Sequence, residues 1–159
     1  MVNPDEDQPQ DQPAAGRFVG REHRFAVRVF YEDTDLSGVV YHANYLRYLE
    51  RARSDMLALA GIDQRATWEA GEGAWAVADL HVRYRAPARL GDALLVASRV
   101  TRVRAAAVAI QQTVSRARHT LVDADLTVAL VATDGRPRRQ PAAWRAIFAA
   151  LVEQGERIA

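Results

Sequence analysis

The sequence of 159 residues contains neither cysteine nor lysine, and all 21 of its basic residues are arginine. Without cysteine the chain has no disulfide, no thiolate nucleophile and no zinc–thiolate site. Without lysine, it has no mechanism that requires a lysine side chain. The four histidines, at positions 23, 42, 81 and 119, show no close metal-ligand spacing. We therefore expect neither a metal nor a cofactor.

Long apolar runs and a strong net charge are also missing. No apolar stretch approaches the ~18 residues of a membrane-spanning helix. The net charge of +1 does not indicate a nucleic-acid partner. Residues 1–20 are predicted to form a disordered acidic tail, rich in glutamine and proline, that is not a signal peptide. We expect a single domain over residues 21–159 and a cytoplasmic location.

The periodicity of apolar residues divides the rest of the chain into strands and helices. The predicted elements are a strand at 23–32, helices at 44–60 and 64–70, strands at 74–85, 93–104, 107–116 and 121–133, and a helix at 141–154. Asn44 suits the N-cap of the long helix, whose apolar stripe is predicted to include Leu46 and Leu49. The links between the four later strands are short, which predicts antiparallel neighbours. The pattern favours an α+β fold with one antiparallel sheet packed against one long helix.

A single sheet of this size leaves two edge strands open to further pairing. Pairing of such edges across a two-fold axis would remove the open hydrogen-bonding groups. We therefore expect a homodimer at least, and a homotetramer as the larger assembly.

Residues 31–45, YEDTDLSGVVYHANY, hold the densest group of candidate functional side chains. Asp35 lies in a loop between the first strand and the long helix, and Gly38 permits a tight backbone path close to a ligand. The start of the helix follows with unpaired N–H groups and a partial positive charge, which suit an oxyanion. A carboxylate facing a helix N-terminus can perform acyl transfer, either by direct attack or by activating water.

The stretch 27–53, VRVFYEDTDLSGVVYHANYLRYLERAR, resembles the opening of the hot-dog-fold thioesterases of the 4-hydroxybenzoyl-CoA thioesterase type. Within that type it is most similar to the bacterial Tol–Pal-associated, YbgC-like branch. The stretch 82–92, VRYRAPARLGD, also matches, so the resemblance covers roughly residues 24–135. It implies a sheet wrapped around one central helix, and hydrolysis of the thioester of an acyl-CoA or an acyl-carrier protein.

The resemblance also implies roles for individual residues. Asp35 falls on the catalytic aspartate, Tyr31 on a tyrosine four residues earlier, and His42 on the position whose backbone N–H polarises the thioester carbonyl. The residues expected to contact the substrate are Gly38, Val40, Tyr41, Asn44 and Tyr45, with Arg85 and Arg89 for the coenzyme A phosphates. Whether Asp35 attacks the carbonyl or deprotonates water stays open.

Each of these residues has a simpler alternative role. Asp35 could be a turn residue, His42 could only shape the pocket, and Tyr31 could pack within the strand. Arg85 and Arg89 could be solvated surface charges.

Three other classes of protein are compatible with parts of the same sequence pattern. A magnesium-dependent phosphatase of the haloacid dehalogenase type would use the Asp33-Thr-Asp35 motif, but it requires a parallel sheet. A hot-dog dehydratase would use an acidic residue on the helix, such as Glu50 or Asp55. A non-catalytic acyl-binding or scaffold protein is the third alternative.

Overall fold

The computed structural model describes residues 11–152. Its elements are strands β1 (Arg17–Val19) and β2 (Glu22–Arg28), a 3₁₀ turn (Tyr31–Asp33), helices α1 (Asn44–Leu59) and α2 (Gln64–Glu69), strands β3 (Ala74–Tyr84), β4 (Ala93–Val103), β5 (Ala107–Arg116) and β6 (His119–Val131), and helix α3 (Ala142–Leu151). Residues 1–10 of the predicted tail and 153–159 of the predicted domain lie outside the described residues.

The six strands form one sheet in the order β1-β2-β4-β5-β6-β3, and every neighbouring pair is antiparallel. The predicted α+β class is confirmed. No pair of described strands is parallel, so the phosphatase alternative is wrong, because that fold is built on a parallel sheet.

The link 85–92 corrects one prediction, because β3 and β4 are not neighbours. β3 pairs with β6 at the edge of the sheet, whereas β4 lies between β2 and β5. Three strand spacings of about 4.8 Å separate them, or ~14 Å, and eight extended residues reach ~26 Å. The link therefore crosses the end of the β5–β6 hairpin. On its way Arg85 and Ala86 donate their backbone N–H groups to Leu121 O, at 2.8 and 3.2 Å.

Helix α1 packs into the concave face of the sheet, and its buried side recurs at helical spacing. The buried side chains of α1 are Asn44, Tyr45, Tyr48, Leu49, Ala52, Arg53, Met56 and Leu57. Leu46 was predicted to lie on this stripe, but it is exposed, because the stripe is centred on Tyr45 and Tyr48. Alternate residues of β4 and β5 complete the core beneath the helix.

A belt of buried polar side chains crosses the sheet under the middle of α1 and separates two apolar clusters. His23, Ser98 and Gln112 occupy paired positions on β2, β4 and β5, and all three are fully buried. Gln112 accepts a hydrogen bond from Arg53 Nη1 at 2.9 Å, and His23 Nε2 lies 2.6 Å from Asp55 Oδ2. The belt therefore fixes α1 against the sheet by directional contacts as well as by apolar packing.

Several predicted element boundaries are also corrected. The first long strand ends at Arg28, so Tyr31 lies in the 3₁₀ turn and not in a strand. Residues 17–19, within the predicted tail, form β1, because a turn at Gly20, with φ +59°, folds them back onto β2. Asn44 is the first residue of α1 and not its N-cap, since its side chain bonds Asp33 instead.

Candidate active site

Asp33 anchors the loop that carries Asp35. Its Oδ2 accepts the backbone N–H of Phe30 at 2.8 Å, and its Oδ1 accepts a buried hydrogen bond from Asn44 Nδ2 at 3.0 Å. Its carbonyl oxygen accepts the N–H of Tyr41 at 2.9 Å. One residue thus joins the end of β2, the 3₁₀ turn and the first turn of α1.

The segment 34–40 is a tight backbone turn with Asp35 near its tip. Asp35 N–H donates to Val39 O, and Gly38 N–H donates to Asp35 O, both at 3.0 Å. Gly38 has φ +79°, which a residue with a side chain adopts only with strain. Val40 N–H donates to Ala88 O at 2.8 Å, so the β3–β4 link supports the turn from beneath.

The Asp35 carboxylate is exposed and locally hydrogen-bonded. Its Oδ1 accepts the hydroxyl of Ser37 at 2.5 Å and the N–H of Ser37 at 2.8 Å. These two bonds, with a smaller contribution from the nearby His42, hold the pKa of Asp35 below its ordinary value of 3.8. The group is therefore ionised at neutral pH, as either a nucleophile or a general base requires.

The start of α1 supplies hydrogen-bond donors next to this loop. Within the described residues, no acceptor is bonded to the backbone N–H of His42 or of Ala43. Asn44 N–H is already used, since it donates to Tyr41 O at 2.8 Å. Two consecutive N–H groups at the positive end of a 16-residue helix can therefore bind an oxygen that carries negative charge.

A cavity of about 300 Å³ opens beside these donors. It is lined by Val40, His42, Tyr45, Tyr84, Arg85, Ala86 and Pro87. The His42 ring is packed edge-on against Tyr41, with ring centroids 4.6 Å apart. A second, smaller cavity of about 70 Å³ lies farther along α1, between Arg53, Trp75 and Phe148.

The structure brings some of the predicted site residues together and separates others. Val40, His42, Tyr45 and Arg85 share one cavity, but Tyr31 is 83 % exposed and does not line it. Tyr45 Oη accepts the N–H of Ala88 at 3.0 Å, so its ring, rather than its hydroxyl, is available to a ligand.

The polar groups of the other predicted site residues lie as follows. The Asn44 amide is engaged with Asp33. Arg85 Nε bonds Asp123 Oδ2 at 2.5 Å. Arg89 is exposed, and its backbone N–H donates to Asp92 Oδ2 at 2.9 Å.

Two residues of the site were not predicted. Ser37 follows Asp35 by two residues, a spacing typical of a turn closed by an aspartate side chain, so a local signal for it was present. Tyr84 carried no such signal. It enters the site because the end of β3 lies against the start of α1, a contact between residues 42 positions apart.

No helix among residues 11–152 combines the length and apolar character needed to cross a membrane. In the same part of the chain, no three His, Cys, Asp or Glu residues are grouped as metal ligands.

An antiparallel sheet folded around one long helix, with a carboxylate loop at the start of that helix, defines a hot-dog-fold protein of the thioesterase type. The family model described as "Thioesterase-like superfamily" matches residues 29–151. The chain belongs to this family.

Individual relatives agree with this assignment. The chain is 40% identical over 121 residues to a protein of Escherichia coli O6:H1 named acyl-CoA thioester hydrolase YbgC, covering 74% of this chain and 89% of that protein. A crystal structure of a probable thioesterase from Bartonella henselae is 33% identical, with a TM-score of 0.72, and covers 76% of this chain and 99% of its own. A 4-hydroxybenzoyl-CoA thioesterase structure, at 20% identity and a TM-score of 0.73, covers 80% of this chain and 98% of its own and shares the fold.

Proposed function

We propose that this protein is an acyl-CoA thioesterase in which Asp35 and the first N–H groups of α1 carry out hydrolysis. The observation that carries the proposal is an ionised, exposed carboxylate on the loop that leads, seven residues later, to unpaired N–H groups at the start of α1. In the structure Asp35 lies in an open depression with Leu36 and Ser37 and does not line the His42 cavity. Membership of the thioesterase-like family and the named acyl-CoA thioester hydrolase relatives support it.

In the proposed reaction the thioester carbonyl oxygen accepts hydrogen bonds from the N–H groups of His42 and Ala43. By one route a carboxylate oxygen of Asp35 attacks the carbonyl carbon, the C–S bond breaks, and coenzyme A leaves as the thiolate. Water then hydrolyses the mixed anhydride and restores the carboxylate. By the other route Asp35 takes a proton from water as the water oxygen attacks the carbonyl carbon, and the C–S bond then breaks with coenzyme A leaving as the thiolate. The same donors stabilise the tetrahedral oxyanion in both routes.

The cavity beside His42 is the proposed entry for the acyl-thioester arm. Val40, Tyr45 and Tyr84 give it apolar walls, and Gly38 lets the backbone approach the ligand. Arg85 and Arg89 lie on the adjoining link, where their guanidinium groups are accessible to phosphates. An acyl-carrier protein, whose thioester arm also carries a phosphate, is the alternative donor.

The first experiment measures release of free thiol from short aliphatic, long aliphatic and aromatic acyl-CoAs. Wild type is compared with Asp35→Asn and with the control Asp134→Asn. Asp134 is a matched control because it also accepts the N–H of the residue two positions later, at 3.0 Å, in a turn remote from the site. We expect Asp35→Asn to lose several orders of magnitude in kcat, while Asp134→Asn keeps wild-type turnover.

Two outcomes would contradict the proposal. Equal activity of wild type and Asp35→Asn would remove Asp35 from the mechanism. Saturable acyl-CoA binding without turnover, together with no turnover of acyl-carrier protein, would favour the non-catalytic binding protein. The dehydratase alternative has less support, because Asp55 is bonded to His23 inside the polar belt.

We also propose that the protein is a homodimer, with a homotetramer as the larger assembly. The edge strand β3 has one open side, and apolar side chains of β3 and α1 are exposed beside it, among them Leu46, Val77 and Leu80. Light scattering of Val77→Asp tests this surface. A wild-type protein that is monomeric at micromolar concentration would contradict the proposed dimer. The cytoplasmic location stays a prediction, which cell fractionation would test.

A further inference from the structure

Tyr84, the last residue of β3, makes a contact that bears directly on the start of α1. Its hydroxyl donates a hydrogen bond of 2.8 Å to the carbonyl oxygen of His42. Its ring packs edge-on against those of Tyr45 and His42, with centroids 5.7 and 6.3 Å apart. Burial raises the pKa of Tyr84, so the hydroxyl keeps its proton at neutral pH and remains a donor.

The carbonyl oxygen of His42 has no donor from the helix itself. In a regular α-helix the N–H of Leu46 would donate to it. In this structure Leu46 N–H donates to Ala43 O at 3.1 Å. Among the described residues, the Tyr84 hydroxyl is therefore the hydrogen-bond partner of this oxygen.

The orientation of the Ala43 N–H follows from the same peptide group. The carbonyl of His42 and the N–H of Ala43 belong to one planar trans peptide, so they point in opposite directions. A donor that holds the carbonyl on one side fixes the direction of the N–H on the other. A hydrogen bond to a carbonyl also polarises its peptide and strengthens the attached N–H as a donor.

The neighbouring peptide is fixed by the backbone alone. The N–H of His42 shares a peptide with the carbonyl of Tyr41, which accepts Asn44 N–H at 2.8 Å. The N–H of His42 is thus oriented by a backbone hydrogen bond at the start of α1. The N–H of Ala43 is oriented by the hydroxyl of Tyr84 on β3. Tyr84 can do this because its own backbone is fixed by pairing with Val122 of β6.

We infer that Tyr84 is a positioning residue, whose hydroxyl aligns the Ala43 N–H with the oxyanion formed during thioester hydrolysis. The inference rests on the proposed oxyanion site at the start of α1. Tyr84 does not touch the reacting atoms in this assignment and acts through the peptide between His42 and Ala43.

Tyr84→Phe removes the hydroxyl and keeps the ring. We expect kcat for an acyl-CoA to fall roughly three- to tenfold, which is the effect of one ordinary hydrogen bond. KM should change less than about twofold, because the bond matters most when charge develops on the carbonyl oxygen. The matched control is Thr67→Val, since Thr67 Oγ1 also donates to a backbone carbonyl, Asp63 O, at 2.7 Å, in the remote helix α2. Both variants are checked for an unchanged unfolding midpoint.

A spectroscopic measurement separates this inference from the function on which it rests. A ¹³C-labelled thioester is bound to Asp35→Asn, and its carbonyl stretch is recorded by infrared difference spectroscopy. Donors at the oxyanion site lower this frequency relative to the free thioester. In Asp35→Asn/Tyr84→Phe we expect a smaller shift, with the carbonyl frequency moving back toward that of the free thioester. In Asp35→Asn/Thr67→Val we expect the shift to be unchanged.

The outcomes are distinguishable. An unshifted carbonyl in Asp35→Asn itself would overturn the oxyanion site and the inference with it. A shifted carbonyl that Tyr84→Phe leaves unchanged would overturn the inference alone. A rise in KM without a fall in kcat would also overturn it, because Tyr84 would then bind substrate directly. An equal loss of kcat in Thr67→Val would show that the effect is a general loss of stability.

Discussion

Replacing Gln112 by leucine tests whether the polar belt stabilises the fold. Gln112 is fully buried on β5 and makes three hydrogen bonds. It accepts from Arg53 Nη1 at 2.9 Å and donates to Leu49 O at 3.1 Å and to Ser98 Oγ at 2.8 Å. Leucine has a similar size but offers no polar atom, so the change removes the bonds with little change in volume.

The expected loss of stability follows from the hydrogen bond that each partner of Gln112 loses. Arg53 is 7% exposed, and a buried charged partner left without its acceptor costs about 1.5–3 kcal/mol. Leu49 O is also a helix acceptor and the Ser98 hydroxyl can rotate, so these two together add about 1 kcal/mol. We expect the free energy of unfolding to fall by about 2.5–4 kcal/mol.

A double-mutant cycle with Arg53→Met supplies the sharper test. When both polar partners are replaced, neither is left unsatisfied inside the protein, and Glu50, the other partner of Arg53, is solvent-accessible. Urea unfolding at fixed protein concentration should give a double variant more stable than the sum of the single losses predicts, by about 2 kcal/mol. Additive losses would refute a coupled buried pair, and a loss below about 1 kcal/mol for Gln112→Leu would refute the belt as a stabilising feature.

Three further predictions concern a glycine and two carboxylates. Gly73→Ala should lower the unfolding midpoint by several degrees in calorimetry, because Gly73 has φ +102° and an added Cβ would overlap the carbonyl of Val131. Asp123→Asn should destabilise the protein at pH 7 and lose that effect as pH falls through the folded-state pKa of Asp123. Its two arginine partners hold the pKa of Asp123 below 3.8, so that stability is present above the unfolded-state pKa and is lost as pH falls through the folded-state pKa. Ser37→Ala should raise the pKa of Asp35 toward 3.8 and move the acidic limb of the kcat/KM profile to higher pH.

The first two of these predictions have controls that the chain provides. Gly135 also has a positive φ, of +84°, but an added Cβ meets open space, so Gly135→Ala isolates backbone strain from the clash at Gly73. Asp134→Asn replaces an exposed carboxylate that lies 3.9 Å from a single arginine, Arg136, and should change the free energy of unfolding little at pH 7. An acidic limb that does not move in Ser37→Ala would show that another group controls it.

The chain order of helices and strands follows from local sequence patterns. Alternation along β5 is complete, with Val108, Ile110, Gln112 and Val114 all buried, so its predicted bounds are confirmed. On β4 the alternation stops after Val100, because a bulge there shifts the register with β5. A bulge depends on the partner strand, so no single-strand pattern predicts it.

The parts of the site that escaped prediction depend on distant contacts. The positions of Gly38 and Asp35 in a turn were readable from residue types that favour turns. The engagement of Asn44 by Asp33 was not, because an N-cap prediction assumes that the side chain serves its own helix. Tyr84 reaches α1 because the end of β3 lies against the start of the helix, a contact between residues 42 positions apart in the chain.

The link 85–92 changes what substitution and insertion can do in this protein. Connecting loops usually accept extra residues, since they lie on the surface and pack little. In the link 85–92, by contrast, Ala88 is completely buried, and its carbonyl oxygen accepts the N–H of Val40 beneath the carboxylate loop. The carbonyl oxygen of Pro87 accepts a hydrogen bond from Arg116 Nη1. Added length there would separate the sheet edge from the carboxylate loop.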